Sequence, residues 1–340
     1  MLVSLLIVLW PAAIALRVDL NSIPGGNSSS SFFDLSFNDV AYEALANLSH
    51  ELLRHTPQSH EKCGLNLMKA GTQKRVASVS EYLSQSLPSK SVLFLGCSLD
   101  ANALIAFCAS VGSKLHGNPY EGQFCKVGNL TTAFLFHPGS GEPPYFSLYD
   151  KALDGKHMKH HPSTHWAWWR ITKHAPIFTQ SIMGAQPDLV VVDDSLWSLS
   201  KWWEHNGGDI SMTNQSSFPI PSKELQQWCN GGLKSHMGLV AATYPSSRVA
   251  FRTAPTVTKP FYGQTAEIID IMQECIAAQT NGDRLFGKYS VIHFHDMVDR
   301  MMQSSKEKGQ PVEDLYCDGI HPGPEISLAY ANMVLDLVRI

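Results

Sequence analysis

Residues 93–101 read LFLGCSLDA, and this stretch decides the fold that we predict. An apolar run ends at Gly96, and Ser98 follows directly before a helix-like stretch whose first turn carries Asp100. In a parallel α/β sheet, ligands bind at the carboxyl ends of the strands. The free N–H groups of a helix N-terminus can stabilise an oxyanion at that edge. The stretch therefore predicts a nucleophilic role for Ser98, and a plain N-cap role is the alternative interpretation.

On both sides of this stretch, the chain alternates between two periodicities. Short apolar runs, partly β-branched, predict strands at 92–95, 132–136, 189–192, 248–251 and 290–294. Apolar residues at helical spacing predict helices at 38–54, 73–86, 100–111, 262–279 and 324–338. Strands that alternate with helices form a parallel sheet covered on both faces. We therefore predict an α/β fold, a three-layer α/β/α sandwich with a five-stranded parallel sheet.

Three long stretches interrupt this alternation. They are rich in Gly, Pro, His and Trp, and we predict that they are loop insertions on a single domain. They span residues 113–131, 137–187 and 205–235.

A second chemical signal stands near the C-terminus, where Asp318-Gly319-Ile320-His321-Pro322 precedes the last predicted helix. The acid and the base lie three positions apart in a turn bounded by Gly and Pro, so the Asp318 carboxylate can reach one imidazole nitrogen of His321. The other nitrogen then faces a nucleophile, which is how the acid of a Ser-His-Asp triad orients its base. The alternative is a surface turn in which Asp318 caps local backbone groups.

The composition excludes several classes of function. Only 16% of the residues are charged and the formal net charge is −4, so no nucleic acid partner is expected. No C-x-x-C pair occurs, and the histidines between 157 and 165 have no carboxylate or Cys at ligand spacing. We therefore predict no metal and no cofactor. The segment that holds these histidines is also rich in Trp, which favours a solvated insertion or a glycan-facing surface.

The N-terminal segment indicates a cellular compartment. Residues 1–15 predict a secretory signal peptide, because a short apolar run ends at a small-x-small cleavage site. The run is shorter than the roughly 20 apolar residues of a membrane anchor, so no stable membrane span is expected after cleavage. Residues 16–37, rich in Ser, Gly and Asn, predict a linker, and residues 38–340 predict the single domain.

Glycosylation and cysteine signals fit the same compartment. N-x-S/T sequons occur at Asn27, Asn47, Asn129 and Asn214. Seven cysteines are compatible with up to three disulfides and one free thiol, with a pairing that the sequence leaves open. We therefore expect a secreted protein, or one in the lumen of the secretory pathway.

Four segments, in this order, resemble blocks of the SGNH (GDSL-like) hydrolase superfamily, and in particular its PC-esterase or trichome-birefringence-like branch. Gly96-Cys97-Ser98-Leu99 stands for the usual G-D-S-L, with Cys97 in place of Asp. The segments VVVDDSLWSL (190–199) and FRTAPT (251–256) are similar to two internal segments of that branch, and residues 318–322 match the last block. The resemblance implies that Ser98 is the nucleophile, His321 the base and Asp318 the acid that orients it.

The resemblance also implies an oxyanion hole, but this chain departs from the family in the residues that would form it. Gly139 and Gly141 are the candidates for the glycine of the second block. The third block normally supplies an Asn, but the matching stretch here has Asp193, Asp194 and Ser195. The ionised carboxylate of Asp194 repels an oxyanion, so either it points away or another donor serves. Arg252 is a candidate for holding a substrate carbonyl or carboxylate, and a buried ion pair with Asp193 or Asp194 is the alternative.

By resemblance, the chain is expected to be a secreted serine esterase that removes short acyl groups, above all acetyl, from a carbohydrate or a related ester. The same triad serves a polysaccharide O-acyltransferase when a sugar hydroxyl replaces water. A non-catalytic glycan-binding protein of this fold is the second alternative, and a lipid-directed lipase is the third, against which the polar insertions argue. The expected partner is an acylated carbohydrate or small ester, and the oligomeric state is left open.

Overall fold

The structure is a computed structural model that describes residues 89–118, 122–137, 139–140, 167–208 and 221–339. Several predictions therefore lie outside the described residues: the signal peptide, the linker, the helices at 38–54 and 73–86, and the sequons at Asn27, Asn47 and Asn214. Within these ranges, no helix is long and apolar enough to cross a lipid bilayer.

A mixed sheet forms the centre of the described ranges. Its strands are β1 (Ser91–Gly96), β2 (His116–Asn118), β3 (Gly122–Val127), β4 (Leu130–Phe136), β5 (Leu189–Val192), β6 (Arg248–Arg252), β7 (Thr280–Asn281), β8 (Arg284–Leu285) and β9 (Tyr289–Ile292). The strand order is β2-β3-β4-β1-β5-β6-β9-β8-β7. The five central strands, β4, β1, β5, β6 and β9, pair in parallel as predicted. Short antiparallel strands extend both edges, so the predicted five strands are the parallel part of a larger sheet.

Strand β1 lies in the interior of the sheet because its sequence suits burial on both faces. Its residues from Val92 to Leu95 are apolar and at most 3% exposed, a continuous pattern that is typical of a covered parallel strand. Leu95 is in register with Leu135 of β4 and Val192 of β5. The carboxyl ends of the three strands therefore meet at one edge of the sheet, directly before Ser98.

Eight helices surround the sheet in the described ranges. They are α1 (Ser98–Ser110), α2 (Ala175–Met183), α3 (Leu196–His205), α4 (Ser222–Gln227), α5 (Leu233–Thr243), α6 (Ala266–Gln279), α7 (Phe294–Glu307) and α8 (Pro324–Arg339). A short segment Ala167–Trp169 and a π-helical turn Arg170–His174 lead into α2, and a second π-helical turn, Trp228–Gly232, joins α4 to α5. The predicted helices at 100–111, 262–279 and 324–338 correspond to α1, α6 and α8.

The prediction of long loop insertions is partly wrong. Strands β2 and β3 lie within 113–131, helix α2 within 137–187 and helix α4 within 205–235. For α2 and α4, the physical reason is that the adjoining π-helical turns break the 3.6-residue spacing on which helix prediction depends. In the second of these turns, Gly231 also leaves the helical region of φ and ψ. Helices α3, α5 and α7 are further elements that the sequence reasoning did not predict.

Helix α8 packs against α1 and thereby supports the start of α1 on the sheet. Tyr330 is fully buried in this contact. Its ring lies edge-on to Phe94 of β1, with 6.0 Å between ring centroids, and 4.6 Å from the ring of Phe294. Tyr330 of α8 therefore packs against the end of β1.

Disulfides tie the helices to the sheet and to each other. Cys108 at the end of α1 is bonded to Cys125 of β3, and Cys229 in the second π-helical turn is bonded to Cys275 of α6. Cys317 is also disulfide-bonded, and Cys97 is a free, buried thiol. The link between Cys108 and Cys125 closes a loop of 17 residues, which contributes about 3 kcal/mol to stability.

Candidate active site

Ser98 is the first residue of helix α1, and its position follows from the turn that ends β1. Cys97 is the N-cap of this helix, so the interpretation of Ser98 as a plain N-cap is wrong. Ser98 is partly exposed, whereas Cys97, Leu99 and Asp100 around it are buried. The N–H of Ser98 is among the first amides of the helix, which have no intrahelical partner. Both the hydroxyl and this N–H are thus available at the carboxyl edge of the sheet.

The turn from Asp318 to His321 is built by its own side-chain and backbone hydrogen bonds. Asp318 Oδ1 accepts the N–H groups of Ile320 at 3.0 Å and of His321 at 2.8 Å. The N–H of Cys317 donates to the carbonyl of His321 at 2.8 Å. Gly319 adopts a φ of 94°, a conformation that favours glycine. The local capping that the sequence offered as an alternative is therefore present, and it uses only one of the two carboxylate oxygens.

The structure brings Ser98, His321 and Asp318 into one hydrogen-bonded chain. Asp318 Oδ2 lies 2.7 Å from His321 Nδ1, and His321 Nε2 lies 2.8 Å from Ser98 Oγ. An ionised carboxylate only accepts hydrogen bonds, so Nδ1 carries the imidazole proton and Nε2 is free to accept the Ser98 hydroxyl. The arrangement can therefore activate Ser98 as a nucleophile.

The charge state of Asp318 follows from its surroundings. Burial raises the pKa of the Asp318 carboxyl, but the hydrogen bonds and charge of His321 and the hydrogen bond from the Ile320 N–H lower it by more. The pKa of Asp318 is therefore well below its usual range. The carboxylate stays ionised at neutral pH and holds the tautomer that the chain of hydrogen bonds requires.

The loop that follows β6 supports the Asp318–His321 turn from outside. The N–H groups of Thr258 and Lys259 donate to the carbonyl of Gly319 at 2.8 and 3.3 Å. The hydroxyl of Tyr316 donates to the carbonyl of Thr256. The sequence does not indicate these contacts, because backbone acceptors leave no signal in the residue types.

Gly139 lies at the carboxyl end of β4, but the structure places it against helix α3. A Cβ on Gly139 would collide with Ser198 Oγ and would lie 3.1 Å from Asp194 Oδ1. The preceding His137 donates its N–H to the carbonyl of Gly96 at 2.7 Å, which attaches this loop to the end of β1. The oxyanion role of Gly139 stays a prediction, and Gly141 lies outside the described residues.

Asp194 is not a substrate contact in this structure, which corrects the prediction. Its side chain is fully buried, and both carboxylate oxygens are engaged. Oδ1 accepts the N–H of Ser140 and the hydroxyl of Ser198, the latter at 2.8 Å, and Oδ2 accepts the indole N–H of Trp228 at 3.0 Å. Asp194 therefore fixes the loop that holds Gly139.

Arg252 is also not a substrate contact, because its side chain is fully buried. Its Nε and Nη2 each lie 3.0 Å from a carboxylate oxygen of Asp100, and Nη2 lies 2.6 Å from Asp193 Oδ2. The alternative prediction named Asp193 correctly, but Asp100 was missed as a partner. Donor atoms of Cys97, Asp100 and Asp193 lie within 4.8 Å of one another, as in a metal site, and the cation among them here is the guanidinium.

A buried histidine pair lies beside this edge and was not singled out from the sequence. His137 Nε2 and His236 Nε2 lie 2.8 Å apart, with stacked rings. Burial lowers the pKa of His137 well below its usual value, and the nearby His236, Lys201 and Arg170 lower it further. His137 is therefore uncharged at neutral pH. The pair joins the end of β4 to helix α5.

The fold and the site together define an α/β protein with a Ser-His-Asp arrangement at the carboxyl edge of its sheet. No protein-family model and no curated protein matches the chain. Similar solved structures include a GDSL-like lipase from Bacteroides thetaiotaomicron, with 12% identity, a TM-score of 0.34, and coverage of 79% of this chain and 98% of that one. A family two carbohydrate esterase from Clostridium thermocellum, in complex with cellohexaose, has 12% identity and a TM-score of 0.34, covering 74% of this chain and 63% of the other.

At these values of identity and TM-score, neither structure assigns a fold or a residue role to this chain. Neither is described as a PC-esterase, so that branch stays a prediction.

Proposed function

We propose that this chain is a serine esterase that removes short acyl groups, above all acetyl, from carbohydrates. The observation that carries the proposal is the hydrogen-bonded chain from Ser98 Oγ through both nitrogens of His321 to Asp318, with distances of 2.8 and 2.7 Å. Three side chains in this order, with the hydroxyl partly exposed at the sheet edge, have the geometry of nucleophilic acyl transfer.

In the proposed reaction, His321 Nε2 takes the proton of Ser98 as Oγ attacks the ester carbonyl carbon. The carbonyl π electrons move to its oxygen, and the Ser98 N–H at the positive end of α1 stabilises the resulting oxyanion. Collapse of the intermediate breaks the bond to the alcohol, which leaves with the proton from His321. A water molecule, deprotonated by the same nitrogen, then releases the acid and restores Ser98.

An aromatic turn supports carbohydrate as the substrate class. Phe261 and Gln264 exchange both backbone hydrogen bonds, at 3.0 and 2.8 Å, and enclose Tyr262 with a φ of 43°. The Phe261 and Tyr262 rings are partly exposed, with centroids 4.2 Å apart. Aromatic faces of this kind pack against the apolar faces of sugar rings. A strained residue with a partly exposed ring is typical of a ligand-binding segment.

The aromatic turn is fixed at both ends near the candidate site. The Gln264 amide donates to the Leu196 carbonyl at 3.1 Å and to Ser200 Oγ at 2.9 Å, both on α3. Two residues before Phe261, the Lys259 N–H binds the carbonyl of Gly319 between Asp318 and His321. The turn therefore bridges α3 and the Asp318–His321 turn at the carboxyl edge of the sheet.

The proposal is tested by incubating the purified protein with O-acetylated oligosaccharides and measuring released acetate. We expect acetate release that stops after treatment with a fluorophosphonate, because that reagent blocks an activated serine. Transfer of the acetyl group to an added sugar, instead of release of acetate into water, identifies the acyltransferase alternative. Sugar binding without acetate release and without labelling contradicts the proposal and identifies a glycan-binding protein.

Tyr262→Ala is expected to raise KM for an acetylated oligosaccharide by about 5- to 10-fold, because one aromatic contact is worth about 1 kcal/mol. The kcat value and the hydrolysis of a small aryl acetate should not change, since neither depends on the sugar contact. Steady-state kinetics with both substrates measures the difference.

Phe286→Ala is the matched control for this variant. Phe286 is also a partly buried aromatic residue with a positive φ, 53°, but it lies beside β8 near the opposite edge of the sheet. Equal KM values for Tyr262→Ala and Phe286→Ala would remove the argument for a sugar contact at the aromatic turn.

We propose further that the protein matures in the secretory pathway. The disulfides in the described part of the chain support this, because such bonds persist in oxidising compartments. Asn129 supports it too, since it is exposed in the turn between β3 and β4 where a glycan has room. In a eukaryotic secretory host, Asn129→Gln should migrate faster on a gel than the wild type, with an apparent mass lower by about that of one N-glycan. Equal mobility of the wild type and Asn129→Gln would contradict glycosylation at Asn129.

A further inference from the structure

A buried ionic cluster lies directly behind the candidate nucleophile. We call it the Arg252 cluster, and it consists of Arg252, Asp100, Asp193, Cys97 and Tyr330. Each of these side chains is at most 3% exposed. The guanidinium lies to one side of two adjacent aromatic rings, with its Cζ 5.6 Å from the Phe294 centroid and 5.8 Å from the Tyr330 centroid. The cluster thus connects the ends of β1, β5 and β6 with helix α8.

Asp100 links the Arg252 cluster to the turn that carries Ser98. Its Oδ2 accepts the Cys97 N–H at 2.9 Å as well as the guanidinium, and its Oδ1 accepts the Tyr330 hydroxyl at 2.6 Å. The Cys97 N–H lies in the peptide that joins Gly96 to Cys97, one peptide before the Ser98 amide. A Cβ on Gly96 would collide with this carboxylate, so the glycine makes room for it. The carboxylate therefore sets the direction in which the backbone enters Ser98.

The charges of the cluster hold this arrangement in place. Burial lowers the pKa of Arg252, but Asp100 and Asp193 raise it by more, so the guanidinium stays charged. Arg252 also donates from Nη1 to the carbonyl of Thr253 at 3.1 Å and from Nη2 towards Cys97 Sγ at 3.5 Å. A bidentate guanidinium in a dry environment has one favourable orientation. Asp100 is therefore fixed more rigidly than a solvated helix residue.

We propose that Arg252, Asp100 and Tyr330 are positioning residues that align Ser98 with His321 for attack on the acyl group. This inference rests on the proposed esterase function of Ser98. None of the three contacts Ser98 Oγ or the imidazole; they act through the Cys97 N–H and the first turn of α1. A displacement of about 1 Å in a reacting group can reduce the rate about 100-fold, which is the size of effect that loss of the cluster should produce.

The test follows fluorophosphonate labelling over time in the full-length protein, and it records the rate constant and the final labelled fraction. For Arg252→Met we expect a rate constant about 100-fold lower with a final fraction close to that of the wild type. Because this variant leaves two buried carboxylates unpaired, Tyr330→Phe is the second and milder variant. It keeps the ring and removes only the hydroxyl bond to Asp100, so we expect a decrease of roughly 5-fold.

Arg248→Met is the matched control, since Arg248 lies at the opposite end of the same strand and donates to the carbonyl of Leu337. It should lower the melting temperature and leave the labelling rate constant unchanged. A purely structural role for Arg252 would lower the labelled fraction and not the rate constant of the folded molecules. Wild-type rate constants in both Arg252→Met and Tyr330→Phe would overturn the positioning inference alone. Failure to label the wild-type protein would overturn the esterase proposal and the inference with it.

Discussion

Replacement of Ser98 with alanine is expected to lower kcat/KM for an aryl acetate by at least about 10⁴-fold. The variant should also lose labelling by a fluorophosphonate. The reason is chemical, because the alanine side chain has no oxygen to attack the ester or the phosphorus atom. His321 Nε2 then loses its partner at 2.8 Å, but Asp318 continues to hold Nδ1. The fold should therefore survive, and a thermal melt should show a transition close to that of the wild type.

Ser181→Ala is the matched control for this prediction. Ser181 lies on helix α2, is exposed, and donates only to the carbonyl of Phe178 in its own helix. It should keep wild-type turnover and labelling. If Ser98→Ala keeps either activity at more than about a tenth of the wild-type level, another nucleophile does the chemistry and the assignment of Ser98 is wrong.

The features that the sequence predicts well are those encoded by neighbouring residues. The end of β1 and the start of α1 follow from an apolar run, a glycine and a helix-like pattern within about ten residues. The Asp318–His321 turn follows from an acid, a base and a glycine within four residues. Ser98 and His321 are 223 positions apart, and their contact was expected only because two short motifs resemble blocks of one superfamily.

Contacts between distant positions leave no comparable trace in a single sequence. Arg252 lies 152 positions from Asp100, and Tyr330 lies 230 positions from it. Asp100 itself has the pattern of an ordinary acidic residue in the first turn of a helix, which conceals its buried partners. Asp194 was misassigned for a related reason. Its three donors come from the loop after β4, the following helix α3 and Trp228, and none of these is deducible from spacing.

Asp318→Asn is expected to lower kcat by about 10⁴-fold while Ser98 and His321 stay in place. An asparagine at this position keeps an oxygen for the N–H groups of Ile320 and His321, so the turn can still form. The amide also presents an NH₂ group to Nδ1, which favours the tautomer with the proton on Nε2. That nitrogen then cannot accept the Ser98 proton. Steady-state kinetics should show the loss in kcat, with KM within about 3-fold of the wild type.

The pH dependence of stability gives this prediction a second readout. The pKa of Asp318 is lower in the folded protein than its ordinary value, chiefly because the hydrogen bonds from His321 outweigh the effect of burial. Such a group stabilises the fold above the unfolded pKa of about 4, and this contribution is lost as the pH falls through the folded pKa. The melting temperature of Asp318→Asn should therefore lie below that of the wild type at pH 7 and approach it below about pH 4.

Asp314→Asn separates this effect from a general loss of negative charge. Asp314 is exposed in the 3₁₀ turn Val312–Leu315, four positions before Asp318. It should change neither kcat nor the decrease in melting temperature that follows as the pH falls below about 4. A kcat of Asp318→Asn within about 10-fold of the wild type would show that His321 finds its orientation without this carboxylate. The 2.7 Å contact would then be a local cap of the turn, as the alternative interpretation of the sequence proposed.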